Sequence, residues 1–278
     1  ILALCVRHGL LDQATVDHHG HAQHSDDDEA IERMLIRSVL NPQAFGLASN
    51  LRGLFGVAFH LRERLSLDNW RKLNQMVQQI ELASEHQTML DALVLLEESA
   101  ASLVTLSGFA LDGMTRDQGW RFLSIGRWIE RVQFLCSNIL DGMQLPPGCR
   151  LDWLLELADS IVTYRSRYMA APEWMPLLDL LLLDDTNPRS VVFQLEGLIK
   201  YLHILESSHG ACGAEILLPL ANSLRKLQPE QDLRPDSTLL HSLLHDINTA
   251  SNQIAQKIEL RFFSNTEQHG TAAAKHEE

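Results

Sequence analysis

Apolar residues recur every three to four positions along most of the chain, and the recurrence is broken at proline, glycine and small polar clusters. Ile31, Met34, Leu35 and Val39 share one side of a helix over about 28–40. Asn41-Pro42 stops it, because proline disfavours the α conformation in the residue before it and suits the first turn of the next helix. The spacing then predicts helices over 42–65, over 69–85 behind a Ser66 or Asp68 cap, and over 88–113. Thr115 is the expected N-cap of a helix over 116–142, which Pro146-Pro147-Gly148 separates from the next helical stretch. Trp153, Leu154, Leu157, Ile161, Tyr164 and Tyr168 hold a 3.6-residue period and predict one helix over 152–169. A short apolar helix over 173–184 ends at Asn187-Pro188, a long one runs to about 208, and 215–227 and 239–263 complete the set. No segment alternates apolar and polar residues as a strand does. The expected fold is all-α, a multi-helix bundle of about nine or ten helices with short connections.

Composition agrees with a packed core. The chain has 278 residues, 45% hydrophobic and 21% charged, enough to bury a sizeable interior. Its formal net charge of −13 argues against a broad basic surface, so no nucleic-acid partner is expected. No apolar run reaches the ~18 residues that span a bilayer, and Asp179 interrupts the densest stretch, so no membrane partner is expected. Cys5, Cys136, Cys149 and Cys212 form no CxxC pair, which suits ordinary thiols in a reducing cytoplasm. His18, His19, His21 and His24 precede Asp26-Asp27-Asp28 in a stretch poor in apolar residues, which reads as a solvated loop without the fixed geometry of a metal site. Residues 1–6 read as the end of a helix begun upstream, since they lack the basic start and cleavage site of a signal peptide. The tail over 266–278 is polar and reads as mobile.

Two stretches look alike. In each, an apolar helix ends at Asn-Pro and an amphipathic helix comes next, and the two asparagines, Asn41 and Asn187, lie 146 positions apart. The similarity suggests two weakly related halves, about 1–113 and 114–265, within a single helical domain. The same offset places the counterpart of Arg127 upstream of Ile1, so the first half is expected to lack about one helix.

The arginine-rich helix carries the strongest candidate chemistry. Arg127 and Arg131 are four apart and share a face, which Trp120 and Ser124 extend. Glu130 is three from Arg127 and within reach of pairing with it. One reading makes these groups an internal ion-pair set that fixes helix packing. The other points the guanidinium forks into a cleft to bind a carboxylate, a phosphate or a peptide terminus. Gly126 is read as a point of close helix approach. Arg116 and Arg121 lie on the same helix, Tyr164 and Arg165 form a second basic-aromatic group, and Arg189 sits in Asn187-Pro188-Arg189-Ser190, read as a helix start. The sequence has no GxSxG, HExxH, P-loop or GxGxxG, and Glu206-Ser207-Ser208-His209 is a lone ExxH without companion glutamates, so no metal or cofactor is expected.

Arg116-Asp117-Gln118-Gly119-Trp120-Arg121-Phe122, with Gly126-Arg127-Trp128-Ile129-Glu130-Arg131 after it, resembles the Glu-Arg signature of the bacterial alpha-E domain. Asn187-Pro188-Arg189-Ser190-Val191, the Tyr164–Tyr168 group, and Leu61-Arg62-Glu63-Arg64-Leu65 with Trp70, Leu73 and Asn74 are similar to that family's pattern as well. Gln43-Ala44-Phe45 departs from it, standing where Pro-x-Ser-Ile is usual. The resemblance covers about 30–265 and implies an all-helical fold with an internal repeat. It also implies a circularly permuted ATP-grasp domain as partner, fused upstream or separate, and a transglutaminase-like protein as a second associate. From this the expected role is a helper or substrate-binding module acting with an ATP-grasp-type peptide ligase, with Arg127, Glu130 and Arg131 organising the site and Arg116, Arg121, Tyr164, Arg165 and Arg189 as neighbours. The alternatives are an enzyme in its own right with a carboxylate base, and a purely structural interaction domain.

Overall fold

The computed structural model describes residues 5–6, 9–11, 13–14, 25–43, 46–83, 88–146 and 148–264. The histidine-rich stretch, most of 1–8 and the tail over 266–278 lie outside them. Among the described residues there are α-helices and no strand, as the apolar spacing requires. The chain divides into two compact units, Ile1–Thr115 and Arg116–Glu278.

The first unit is built from α1 (Ser25–Leu40), α2 (Leu47–His60), α3 (Leu67–Leu82) and α4 (Met89–Gly113). Ser66 caps α3 by accepting the Asn69 N–H, and Thr88 with Asp91 forms a capping box on α4. Ala48 and Leu51 of α2, Met76 and Ile80 of α3 and Leu95 of α4 make its core. Trp70 stacks on Phe55 at 5.3 Å. The helix expected from Pro42 begins instead at Leu47 and ends at His60, with a 3₁₀ turn at Arg62–Arg64. Residue 42 lies in a turn that Asn41 closes by accepting the Gln43 N–H.

The second unit surrounds α5 (Gln118–Met143), the arginine-rich helix. Its cap is Asp117, which accepts the Trp120 N–H, and not Thr115. Leu151 leads into α6 (Asp152–Leu157), then come α7 (Ile161–Tyr168), α8 (Trp174–Leu178) with a π-helical extension over Asp179–Leu183, α9 (Val191–His209), α10 (Ala214–Arg225), the single turn α11 (Pro229–Asp232) and α12 (Thr238–Phe262). Helix α5 is sandwiched between α9 and α12, and α10 packs on both of those. Ile125, Ile129, Val132, Cys136 and Ile139 of α5 meet Leu195, Leu198 and Leu202 of α9 and Leu244, Ile247 and Ile254 of α12 in one apolar core. Asn248 of α12 donates to the Ser137 hydroxyl and Gln133 of α5 to Asn252, which sets the register of that pair. Burial pushes the Cys136 thiol up to about 12, so it behaves as a small apolar residue.

Two further expectations change in this unit. The helix over 152–169 is two helices, because Asp159 takes a left-handed backbone at φ 48° and breaks the ladder. Twelve helices lie among the described residues, short ones such as α11 included, in keeping with the multi-helix bundle expected. Nothing lies within 4 Å of a Cβ built on Gly126; the close approach is made by Gly197 of α9, where a Cβ would stand 2.8 Å from the Trp128 ring.

That geometry gives opposite expectations for two glycine-to-alanine changes. At Gly126 the helix-propensity gain of up to about 1 kcal/mol is unopposed, so Gly126→Ala stabilises. At Gly197 the same gain meets an overpacking cost of ~1–3 kcal/mol, because Trp128 is held against Tyr201 at 4.7 Å and has no free end to move. Urea denaturation is expected to show Gly197→Ala destabilised by about 1–2 kcal/mol. Equal shifts for the two variants would refute this account of the α5–α9 contact.

Candidate functional site

A cleft of about 300 Å³ opens beside the middle of α5. Helix periodicity puts Glu130 and Phe134 on one of its walls, and Arg131 and Leu135 on the next. Leu157 ends α6 and Ala158 comes directly after it, and both close another side. Arg189 and Gln194, from the turn before α9 and its first turns, complete the lining. The volume lies at the lower end of the ~300–1,000 Å³ usual for ligand pockets, and the mixture of apolar walls with a few convergent polar groups is usual too.

Arg131 is half-buried, and its surroundings are cationic. Burial first, then the charges of Arg127 and Arg189, hold its guanidinium below the ordinary arginine pKa. Among the described residues, Arg127, Glu130 and Arg131 form no ion pair. The internal pairing of Glu130 with Arg127 that their spacing permits is therefore not made. A half-buried guanidinium that feels two like charges and makes no ion pair among the described residues is poorly compensated.

Arg189 is placed by two devices. Asn187, buried to 6% exposure, donates to the Leu180 carbonyl at 3.1 Å and accepts the Arg189 N–H at 3.0 Å. The Arg189 guanidinium then pairs with Asp159 at 2.6 Å, at the left-handed break between α6 and α7. Arg189 is not in the first helical turn as expected. Ser190 is the N-cap, accepting the Phe193 N–H, and α9 starts at Val191. The break at Asp159 thus serves the cleft twice, bringing Ala158 to its wall and Asp159 to Arg189.

Gln194 is 1% exposed. Its Nε2 donates to the Pro188 carbonyl, and its occluded Oε1 has no hydrogen-bond partner among the described residues. Nothing in the sequence singled it out, since a glutamine two turns after Asn-Pro reads as a surface residue.

The remaining sequence candidates lie elsewhere. Arg116 stacks over the Trp120 ring at 4.2 Å, and Arg121 is half-buried on α5 without lining the cleft. Tyr164 is a core residue whose hydroxyl accepts the Glu173 N–H at 3.0 Å and reaches the Ala171 carbonyl at 3.4 Å, bracing the segment between α7 and α8. Arg165 is exposed and pairs with Asp152 at 3.5 Å. The structure therefore brings together Glu130, Arg131 and Arg189, with Arg127 close enough to act on Arg131 through its charge. The lone ExxH is occupied as well. Glu206 Oε1 accepts the N–H groups of Cys212, Gly213 and Ala214 at 2.7, 3.0 and 3.1 Å, which ties the α9–α10 connection, and His209 Nδ1 faces the Leu205 carbonyl.

Among the described residues no helix is long and apolar enough to cross a membrane. Residues 6–263 match a family model, Alpha-E, described as a predicted alpha-helical domain with a conserved ER motif. Uncharacterized proteins of Mycobacterium bovis and of two Mycobacterium tuberculosis strains are each 32% identical to this chain over 196 residues. That match covers 66% of this chain and 22% of each relative, so the chain corresponds to a minor part of their length. No solved structure matches.

Proposed function

The chain belongs to the Alpha-E family, and on that premise we propose that it is a substrate-binding helical module that acts with an ATP-grasp-type peptide ligase. Its task is to hold a carboxylate-bearing substrate in peptide synthesis or modification. One observation carries the reading: Arg131 lines a ligand-sized cleft, feels the charges of Arg127 and Arg189, and forms no ion pair among the described residues. Arg–carboxylate forks are strong and directional, and a substrate carboxylate would supply the counter-charge that Arg131 lacks among the described residues. The charged atoms of a peptide carboxyl group suit the cleft because its remaining walls are apolar. The ATP-dependent chemistry belongs to the partner in this reading, and a transglutaminase-like protein is the second proposed associate. Glu130 as the base of an independent enzyme has no geometric support, since no second polar group among the described residues orients it.

The test is a chain carrying Arg127→Gln and Arg131→Gln together. Circular dichroism should show the helical fold kept. Calorimetry should show binding of a short peptide with a free carboxyl terminus lost, and ligation by the ATP-grasp partner should fall with it. A folded double variant that retains both would sink the anion-site reading. A double variant that unfolds would instead mark the arginines as structural.

A further inference from the structure

The two units share one helical framework. Helices α2 and α9 start from N-caps, Gly46 and Ser190, that lie 144 positions apart. Counted from those caps, Gly53 stands at the step of Gly197, Leu54 at that of Leu198, and Leu61 at that of Leu205. Helices α3 and α4 follow α2 as α10 and α12 follow α9, with only the single turn α11 added, and α4 and α12 are both 25 residues long. The pairing agrees as well: α3 packs on α2 and on α4, and α10 packs on α9 and on α12. The second unit holds one helix more, α5, packed on both α9 and α12.

The face of α9 that takes α5 is filled. Trp128 of α5 lies over Gly197, close enough that a Cβ there would stand 2.8 Å from the ring, and Tyr201 packs on the same ring. Leu198 and Leu205 are buried. The corresponding face of α2 is bare. A Cβ built on Gly53 meets nothing within 4 Å among the described residues. Leu54 is 40% exposed, Leu61 48%, and Val57, at the step of Tyr201, 62%. These three follow at spacings of three and four, so they form one apolar row along the helix. Helix α1 packs on α2 and α4 and leaves that row open. A contiguous apolar row in water marks a surface that another element covers. We infer that this face of α2 seats a helix of the α5 kind, supplied by the polypeptide upstream of Ile1, with an aromatic ring on Gly53 and an apolar stripe on Leu54, Val57 and Leu61. The repeat points to that source, because the offset of 144 places the counterpart of Trp128 before Ile1. The inference is independent of what the cleft beside Arg131 binds.

Hydrogen exchange tests it on two forms: the 278-residue chain, and the same chain lengthened by about 30 residues of its own reading frame before Ile1, enough for one helix of α5's length. The α2 amides are expected to exchange ~10-fold or more slowly in the longer form. A ring already at position 53 blocks the seat. Gly53→Phe should therefore cancel that gain in the longer form, while changing α2 exchange in the 278-residue chain by about twofold at most. Equal α2 exchange in the two wild-type forms overturns the inference. So does a gain that survives Gly53→Phe, which would place the added helix elsewhere. Slowing of α2 exchange in the 278-residue chain as its concentration rises would assign the face to a second copy and overturn it too. Should Gly53→Phe fail to fold, the wild-type comparison decides.

Discussion

Arg131→Met is expected to weaken carboxylate binding by roughly 100-fold and, at the same time, to raise the stability of the chain. The two effects have one cause. A bidentate fork to a carboxylate supplies two charge-assisted hydrogen bonds, worth about 3 kcal/mol or more together, and methionine supplies neither. Without ligand, the same guanidinium is half-buried against the positive charges of Arg127 and Arg189. Methionine keeps the packing of the arginine stem and removes the uncompensated charge. Since the fold depresses the pKa of the cation, the charged form is disfavoured in the native state, and this cost persists at all pH values well below that of free arginine. Because solvent screens much of the repulsion on a half-exposed guanidinium, the expected gain is small, a rise in Tm of at most a few degrees. Calorimetric binding and thermal melts on the same preparation check both signs. A destabilised Arg131→Met would mean that Arg131 is held by partners that stabilise it, and would favour the structural reading.

Glu206→Ala is expected to be the most damaging single change outside the apolar core. One carboxylate oxygen holds three consecutive backbone N–H groups, of Cys212, Gly213 and Ala214, and its second oxygen lies 3.2 Å from His203. The segment cannot easily turn those groups elsewhere. Gly213 has φ +121°, and a Cβ there would meet Ile254 at 2.7 Å, so the connection sits tightly on α12. Loss of the acceptor should cost about 3 kcal/mol, a fall in Tm of roughly 6–12 °C. Burial raises the Glu206 pKa, but the hydrogen bonds from Cys212, Ala214, Gly213 and His203 outweigh it and leave the carboxyl below its ordinary 4.5. The contribution is therefore present in full above about pH 4.5 and is lost as the pH falls through the lower native value. Melts of wild type and variant should differ by a constant amount from pH 7 to 5 and converge in more acid solution. A gap that is absent at pH 7, or that widens in acid, would show that the carboxylate does not hold this connection.

The helices were legible where periodicity and caps agree. Ser66, Asn187-Pro188 and the runs of α4, α9 and α12 were found within a few residues, because each boundary is written in local chemistry. Boundaries set by tertiary demands were not. Asp159 has no proline or glycine to announce a left-handed residue, and the period from Trp153 to Tyr168 runs straight through it. The arginine signature includes two of the residues that line the cleft, Glu130 and Arg131, but does not tell which arginines are engaged elsewhere. Arg116 resembles Arg131 in sequence and stacks on Trp120 instead.

By itself the sequence determined an all-α protein, its family and the helix on which the cleft is built, since apolar spacing and a Glu-Arg signature are properties of contiguous residues. Only the tertiary structure decided which polar groups lack partners. Whether a guanidinium is paired depends on what three other segments bring to it: Arg189 and its Asp159, the end of α6, and Gln194 of α9. Those segments lie up to 64 positions from Glu130 along the chain, too far for any local pattern to place them. Close packing sets their distances, and the distances decide whether a charge is neutralised or left without a counter-charge.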